Sequence, residues 1–133
     1  AFEFGSFNFA KESLAILDNL QRAKTAIKND EVLKKNKDID KFLENLIIIE
    51  KDLINIFQKN RIKKIDTKNK NFDPNLHQAM SEIEDENKET GSIIEEIQSG
   101  YMLGDRLLRP ALVSVAKKKT SKKEEKNQKK EDK

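Results

Sequence analysis

The segment GYMLGDRLLRPALVSVAK, residues 100–117, reads as a β-hairpin. Tyr101 and Leu103 alternate along the inward arm. Gly104-Asp105 is a two-residue turn with glycine first, the order of a type II′ turn, whose first central residue has φ > 0. On the outward arm Leu107, Arg109, Ala111, Val113 and Val115 alternate with Leu108, Pro110, Leu112 and Ser114. Pro110 has no N–H to give to a ladder, so it predicts an edge or a bulge. Arg106 follows the turn directly, and its guanidinium therefore projects from a rigid tip.

Upstream of the hairpin, Ser92 to Ser99 alternates imperfectly and predicts a strand, with a turn over Glu86 to Gly91 before it. His77 to Asp85 is ambiguous, because Gln, Ala, Met and Glu favour a helix by propensity. Asp73-Pro74-Asn75 is a turn that closes before Leu76. Asp66 to Asn71 is a polar loop, and Ile62-Lys63-Lys64-Ile65 a short strand candidate. A β module of about 55 residues buries roughly 60% of its unfolded surface, which leaves it marginal alone.

The first sixty residues have a different period. Phe9, Ser13, Ile16, Leu20, Ala23 and Ile27 are spaced four and three apart, a heptad-like helical stripe, and Phe7, Ala10, Leu14 and Leu17 form a second stripe beside it. Asn29-Asp30 ends the segment. Asp38 is a candidate N-cap for a second helix. That helix has stripes at Ile39, Phe42, Leu46, Ile49, Leu53 and Ile56 and at Leu43, Ile47, Ile54 and Phe57. Two helices with two apolar stripes each cannot bury all of them against one another. A dimeric four-helix bundle buries the remainder. Ile16, Leu20, Leu46, Ile49 and Leu53 are the candidate dimer-interface residues.

Composition narrows the function classes. Of 133 residues, 38% are charged and 35% hydrophobic, so a single large core is not expected. No cysteine is present, which rules out disulfides and thiolate metal sites. The longest apolar run, Leu46 to Ile49, is far short of the ~20 residues of a membrane span. Residues 117–133 hold nine lysines against four acids, a net of +5. Subtracting that from the total of +3 leaves residues 1–116 at −2. The tail from residue 118 has almost no apolar residues and is expected to be disordered.

The chemistry of an active site is not visible. His77 is the only histidine, without cysteines to complete a metal site, and reads as a structural strand residue. Asp105-Arg106 has no nucleophile–base pair beside it. The four glycines form no phosphate-binding loop, since no Gly-Lys-Ser/Thr follows them. No cofactor is expected. Glutamates dilute the lysine tail and no aromatics interleave with it, which argues against nucleic-acid binding. The helix faces lack the basic bias of membrane-surface helices.

Residues 100–117 also resemble the C-terminal signature of the GrpE family, nucleotide exchange factors of DnaK-type heat-shock chaperones. FDPNLHQAM (72–80) and FAKESLAILDNLQRA (9–23) resemble two further motifs of that family, in its order. Three positions depart from the pattern. The family usually turns its hairpin with Asn-Gly, where this chain has Gly104-Asp105. It commonly has a glycine where Arg61 stands. It often places an acidic residue early in the second bundle helix, where Leu46 to Ile49 offers none.

The resemblance implies an α+β fold, with N-terminal helices forming a dimeric coiled coil or four-helix bundle and a small all-β C-terminal domain. It implies a helical dimerisation region at 1–60, a β domain at 61–117 with a strand over 77–85, and a lysine-rich tail at 118–133. The family's long helix extends further toward the N-terminus than residue 1. The function implied is that of a non-enzymatic, cytoplasmic, homodimeric co-chaperone of protein folding and the stress response. Such a protein binds the ATPase domain of a DnaK-type chaperone, opens its cleft and promotes ADP release. Carried onto this chain, Arg106 is the polar chaperone-binding candidate and Ile97 and Val115 are apolar ones, with Phe72 and Pro74 secondary. The competing class is a structural dimerisation module whose basic tail tethers nucleic acid.

Overall fold

The computed structural model describes residues 2–118, so the expected disorder of the tail lies outside the described residues. Two helices come first, α1 (Phe2–Asn29) and α2 (Ile39–Lys59). Of the stripes on α1, the one that turns inward is Ala10, Leu14 and Leu17, each at most 5% exposed, and α1 packs on α2. Phe57 is the buried residue of α2. An ion pair links the two helices, Lys24 Nζ to Glu50 Oε2 at 2.7 Å.

The connection between the helices is set by side chains bonding to backbone. Asp30 Oδ1 accepts from the N–H groups of Val32 and Leu33, both at 2.9 Å. The N–H groups of Leu33 and Val32 hold the Asp30 carboxyl below its usual range. A single 3-10 turn, Leu33–Lys35, follows. Asp38 does occupy the cap position of α2, but its carboxylate makes no capping bond. Its ψ of 0° is not the extended conformation that aims a cap side chain at the first turn. Its own N–H donates to Asn36 Oδ1 instead, at 2.9 Å.

Six strands follow: β1 (Ile62–Lys64), β2 (His77–Glu84), β3 (Ile93–Gln98), β4 (Tyr101–Leu103), β5 (Arg106–Arg109) and β6 (Ala111–Lys117). They form two three-stranded sheets, ordered β1-β4-β5 and β2-β6-β3. The segment of ambiguous propensity, 77–85, is therefore a strand. It runs parallel to β6, with His77 opposite Ala111 and Glu84 opposite Lys117. β3 runs antiparallel to β6 on the other side.

The outward arm of the hairpin is not one strand. It breaks at Pro110, where the chain leaves the first sheet as β5 and enters the second as β6. A residue without an amide hydrogen suits that break. Gly100 closes the break from the other side. A Cβ there would lie 2.7 Å from the Pro110 carbonyl carbon and 2.8 Å from Ala111 Cα, with the Ala111 amide nitrogen nearer still.

The described residues divide into two compact units: residues 2–63 with Met102–Leu108, and Lys64–Tyr101 with residues 109–118. The hairpin tip thus belongs to the unit that contains the helices. In the second unit Ile93, Ala111, Val113 and Val115 form the core, with Phe72 packed against them.

Candidate functional site

The hairpin tip is built from the end of α2. Asn60 donates its N–H to the carbonyls of Ile56 and Phe57, and Arg61 to that of Gln58. Arg61 then takes a left-handed backbone, φ 65°. Such a φ favours glycine, and arginine adopts it at a cost of about 1 kcal/mol. It directs the Arg61 carbonyl to the turn, where it accepts the Gly104 N–H at 2.8 Å. Gly104 has φ 56°, and Asp105 is not among the positive-φ residues, which is the type II′ geometry expected from the glycine-first order.

Arg106 opens β5 on the far side of the turn and is exposed. Its guanidinium carbon stands 4.7 Å from the centroid of the Phe7 ring. The cation sits over that ring, and among the described residues no hydrogen bond or ion pair engages its N–H groups. The neighbouring cation Arg109 is differently placed. Its Nε donates to the Ser99 carbonyl at 2.8 Å and its guanidinium lies 5.5 Å from the Tyr101 ring centroid.

The other chaperone-binding candidates lie in the second unit. Ile97 is 51% exposed on β3. Val115 is 8% exposed and part of the core, so its side chain supports the sheet from within. Phe72 is half-buried against that core. Pro74 is exposed in a turn that Asp73 organises. The Asp73 carbonyl accepts the N–H groups of Leu76 and His77, and Asp73 Oδ1 accepts that of Asn75. His77 completes the turn: its buried Nδ1 accepts the Asp73 N–H at 2.9 Å, which puts the ring proton on Nε2. This is the structural role expected of the lone histidine.

Glu96 is a hub that sequence reasoning missed. Its carboxylate accepts from Thr67 Oγ1 at 2.6 Å and Ser99 Oγ at 2.7 Å, and Lys64 Nζ stands 3.3 Å away. Burial pushes this carboxyl up, but the two hydroxyls and the Lys64 ammonium outweigh it and leave its pKa below the ordinary value. Among the described residues no cluster of His, Cys, Asp or Glu is arranged to hold a metal. Among the described residues no helix is long and apolar enough to cross a membrane.

Of the dimer-interface candidates, Ile16 and Leu53 line one groove of the helical unit. Ile16 is 60% exposed and Ile49 54%, while Leu20, Leu46 and Leu53 are half-buried. Phe9, Phe42 and Ile56 are exposed as well. The groove, of about 470 Å³, is lined by Phe9, Ile16, Leu53, Ile56, Phe57 and Leu103 among others. The stripes were legible in the sequence. Phe7 as the seat of Arg106 was not, because that pairing joins residues far apart in the chain.

Two helices followed by two small three-stranded sheets define an α+β protein. Comparison with known proteins narrows the class. The chain belongs to the GrpE family, whose model matches residues 1–117. Similar curated relatives include Protein GrpE of Afipia carboxidovorans, 41% identical over 114 residues, covering 86% of this chain and 57% of that protein. Protein GrpE of Rhodopseudomonas palustris is 41% identical over 114 residues, covering 86% and 55%. That of Zymomonas mobilis is 42% identical over 117 residues, covering 88% and 60%. The chain thus spans somewhat more than half the length of these relatives.

Proposed function

We propose that this chain is the core of an adenyl-nucleotide exchange factor, a cytoplasmic co-chaperone for a DnaK-type ATPase domain. Family membership across residues 1–117 is the observation that carries this reading. The chain binds the open state of the chaperone's cleft better than the closed, ADP-bound state and so promotes ADP release. By linkage, ADP weakens its binding to the chaperone by the same factor. The role is one of differential binding: the chain is not an enzyme and uses no cofactor of its own.

Two sets of residues do this work. The docking residues are Arg106 at the tip of the first unit and, in the second unit, Ile97 and, more weakly, Phe72 and Pro74, with Val115 supporting the second unit's sheet from its core. The N–H groups of Arg106 pair with a carboxylate on the chaperone. The second set, Ile16, Leu20, Leu46, Ile49 and Leu53, joins a second copy into a four-helix bundle. In this reading 1–60 is the dimerisation region and 61–117 the docking module, although the tip belongs by contact to the helical unit. Stopped-flow release of a fluorescent ADP analogue from a DnaK-type chaperone tests the function. Catalytic amounts of the protein are expected to accelerate release severalfold, and an unchanged rate at saturating protein overturns the reading.

A further inference from the structure

The two positions where the tip departs from the family resemblance, Arg61 and Gly104, meet in space. A Cβ built on Gly104 would lie 2.7 Å from Arg61 Nη2 and 3.0 Å from Cζ. The absent side chain is therefore the space the Arg61 guanidinium occupies. Three further observations bear on this residue. Arg61 holds a left-handed backbone that arginine adopts only at a cost, and such strain gathers at binding sites. It is exposed. Among the described residues no hydrogen bond or ion pair engages its guanidinium, although Asp105 is close in sequence to its seat on the turn. Arg106 stands two residues beyond Gly104 in the same condition.

We infer that Arg61 and Arg106 form a two-guanidinium site across the hairpin turn, which takes acidic side chains of the partner chaperone. Arg106 is seated on Phe7 and Arg61 on Gly104. Each presents N–H donors whose fork matches a carboxylate. This assignment rests on the docking reading above and adds Arg61 to it.

The test is binding to the ATPase domain of a DnaK-type chaperone across a range of salt. Arg61→Gln keeps the stem and removes the charge. It is expected to weaken binding about tenfold, a loss of about 1.4 kcal/mol, and to flatten the salt dependence. Arg61→Gly relieves the backbone and is expected to weaken binding equally while remaining at least as stable. Gly104→Ala is expected to displace the guanidinium and lower affinity with the fold retained. If Arg106→Ala weakens binding and Arg61→Gln does not, the two-arginine site is overturned and the docking reading stands. If Arg61→Gly binds as the unmutated protein does, the guanidinium is irrelevant and the site is likewise overturned. No binding by the unmutated protein overturns both.

Discussion

Replacing Gly100 by alanine places a methyl group against backbone that cannot turn aside. Its Cβ meets the Pro110 carbonyl carbon at 2.7 Å and Ala111 Cα at 2.8 Å, both well inside ordinary contact. Relief requires the segments at 100 and 110–111 to part by roughly 1 Å. Two hydrogen bonds are anchored there, Ile65 N–H to the Gly100 carbonyl at 2.9 Å and Ala111 N–H to the Leu76 carbonyl at 3.0 Å. Ala111 itself is fully buried. Overpacking of this kind costs about 1–3 kcal/mol, and each weakened bond about 1 kcal/mol more. The expected loss is about 3 kcal/mol, a fall in Tm of roughly 10 °C. Gly91→Ala is the control, because Gly91 has φ 90° but nothing within 4 Å. It is expected to lose only about 1 kcal/mol of backbone strain. Thermal and urea unfolding followed by circular dichroism measure both variants. A Gly100→Ala loss no larger than that of Gly91→Ala would refute the close-approach argument.

Ile49→Lys puts a charge at an exposed apolar position of α2, and burying it in a bundle costs several kcal/mol in each copy. The unmutated protein is expected to be a dimer in sedimentation velocity and the variant a monomer; a monomeric unmutated protein at tens of micromolar rejects the bundle. Arg106→Ala is expected to weaken chaperone binding by about 1–3 kcal/mol with an unchanged circular dichroism spectrum, and unaltered exchange activity would dismiss its assignment. Glu96 has a folded pKa below its ordinary value near 4.5. Its contribution to stability is therefore complete above pH 4.5 and is lost as pH falls through the lower folded value. Glu96→Gln is expected to flatten the stability–pH slope below pH 4.5; Asp30, shifted the same way, leaves a residual slope. An unchanged slope would argue against the Glu96 network.

The parts of this fold that were legible are those fixed by near neighbours. The glycine-first turn announced its type II′ geometry, because that turn puts its one positive φ at the first central residue. The two apolar stripes on each of α1 and α2 followed from spacing, but not which of them turned inward. Propensity failed at 77–85, where the pairing of β2 with β6 overrides the helix preference of Gln78, Ala79 and Met80. The break at Pro110 was half visible: the missing amide forbade a ladder bond, yet period-two alternation runs unbroken through it. Nothing local says that Leu107 to Arg109 pairs in one sheet and Ala111 onward in another. Arg61 and Glu96 eluded the sequence for the same reason. Their roles arise from contacts with Gly104, Thr67 and Ser99, whose proximity only the folded chain creates.

The seat of Arg61 on Gly104 also orders the substitutions open to this chain during evolution. A side chain arriving at position 104 first would evict the guanidinium rather than break the fold, because its obstacle is the far end of a long, flexible group. The chain would keep its shape and lose a surface cation in one step. A glycine arriving at position 61 first removes that cation directly and leaves only the positive φ of residue 104 against a side chain there. The two sites are thus epistatic: residue 104 can acquire a side chain without displacing a guanidinium only in descendants that have already given up Arg61. Lineages that retain Arg61 keep its guanidinium seated on the turn only while position 104 stays glycine.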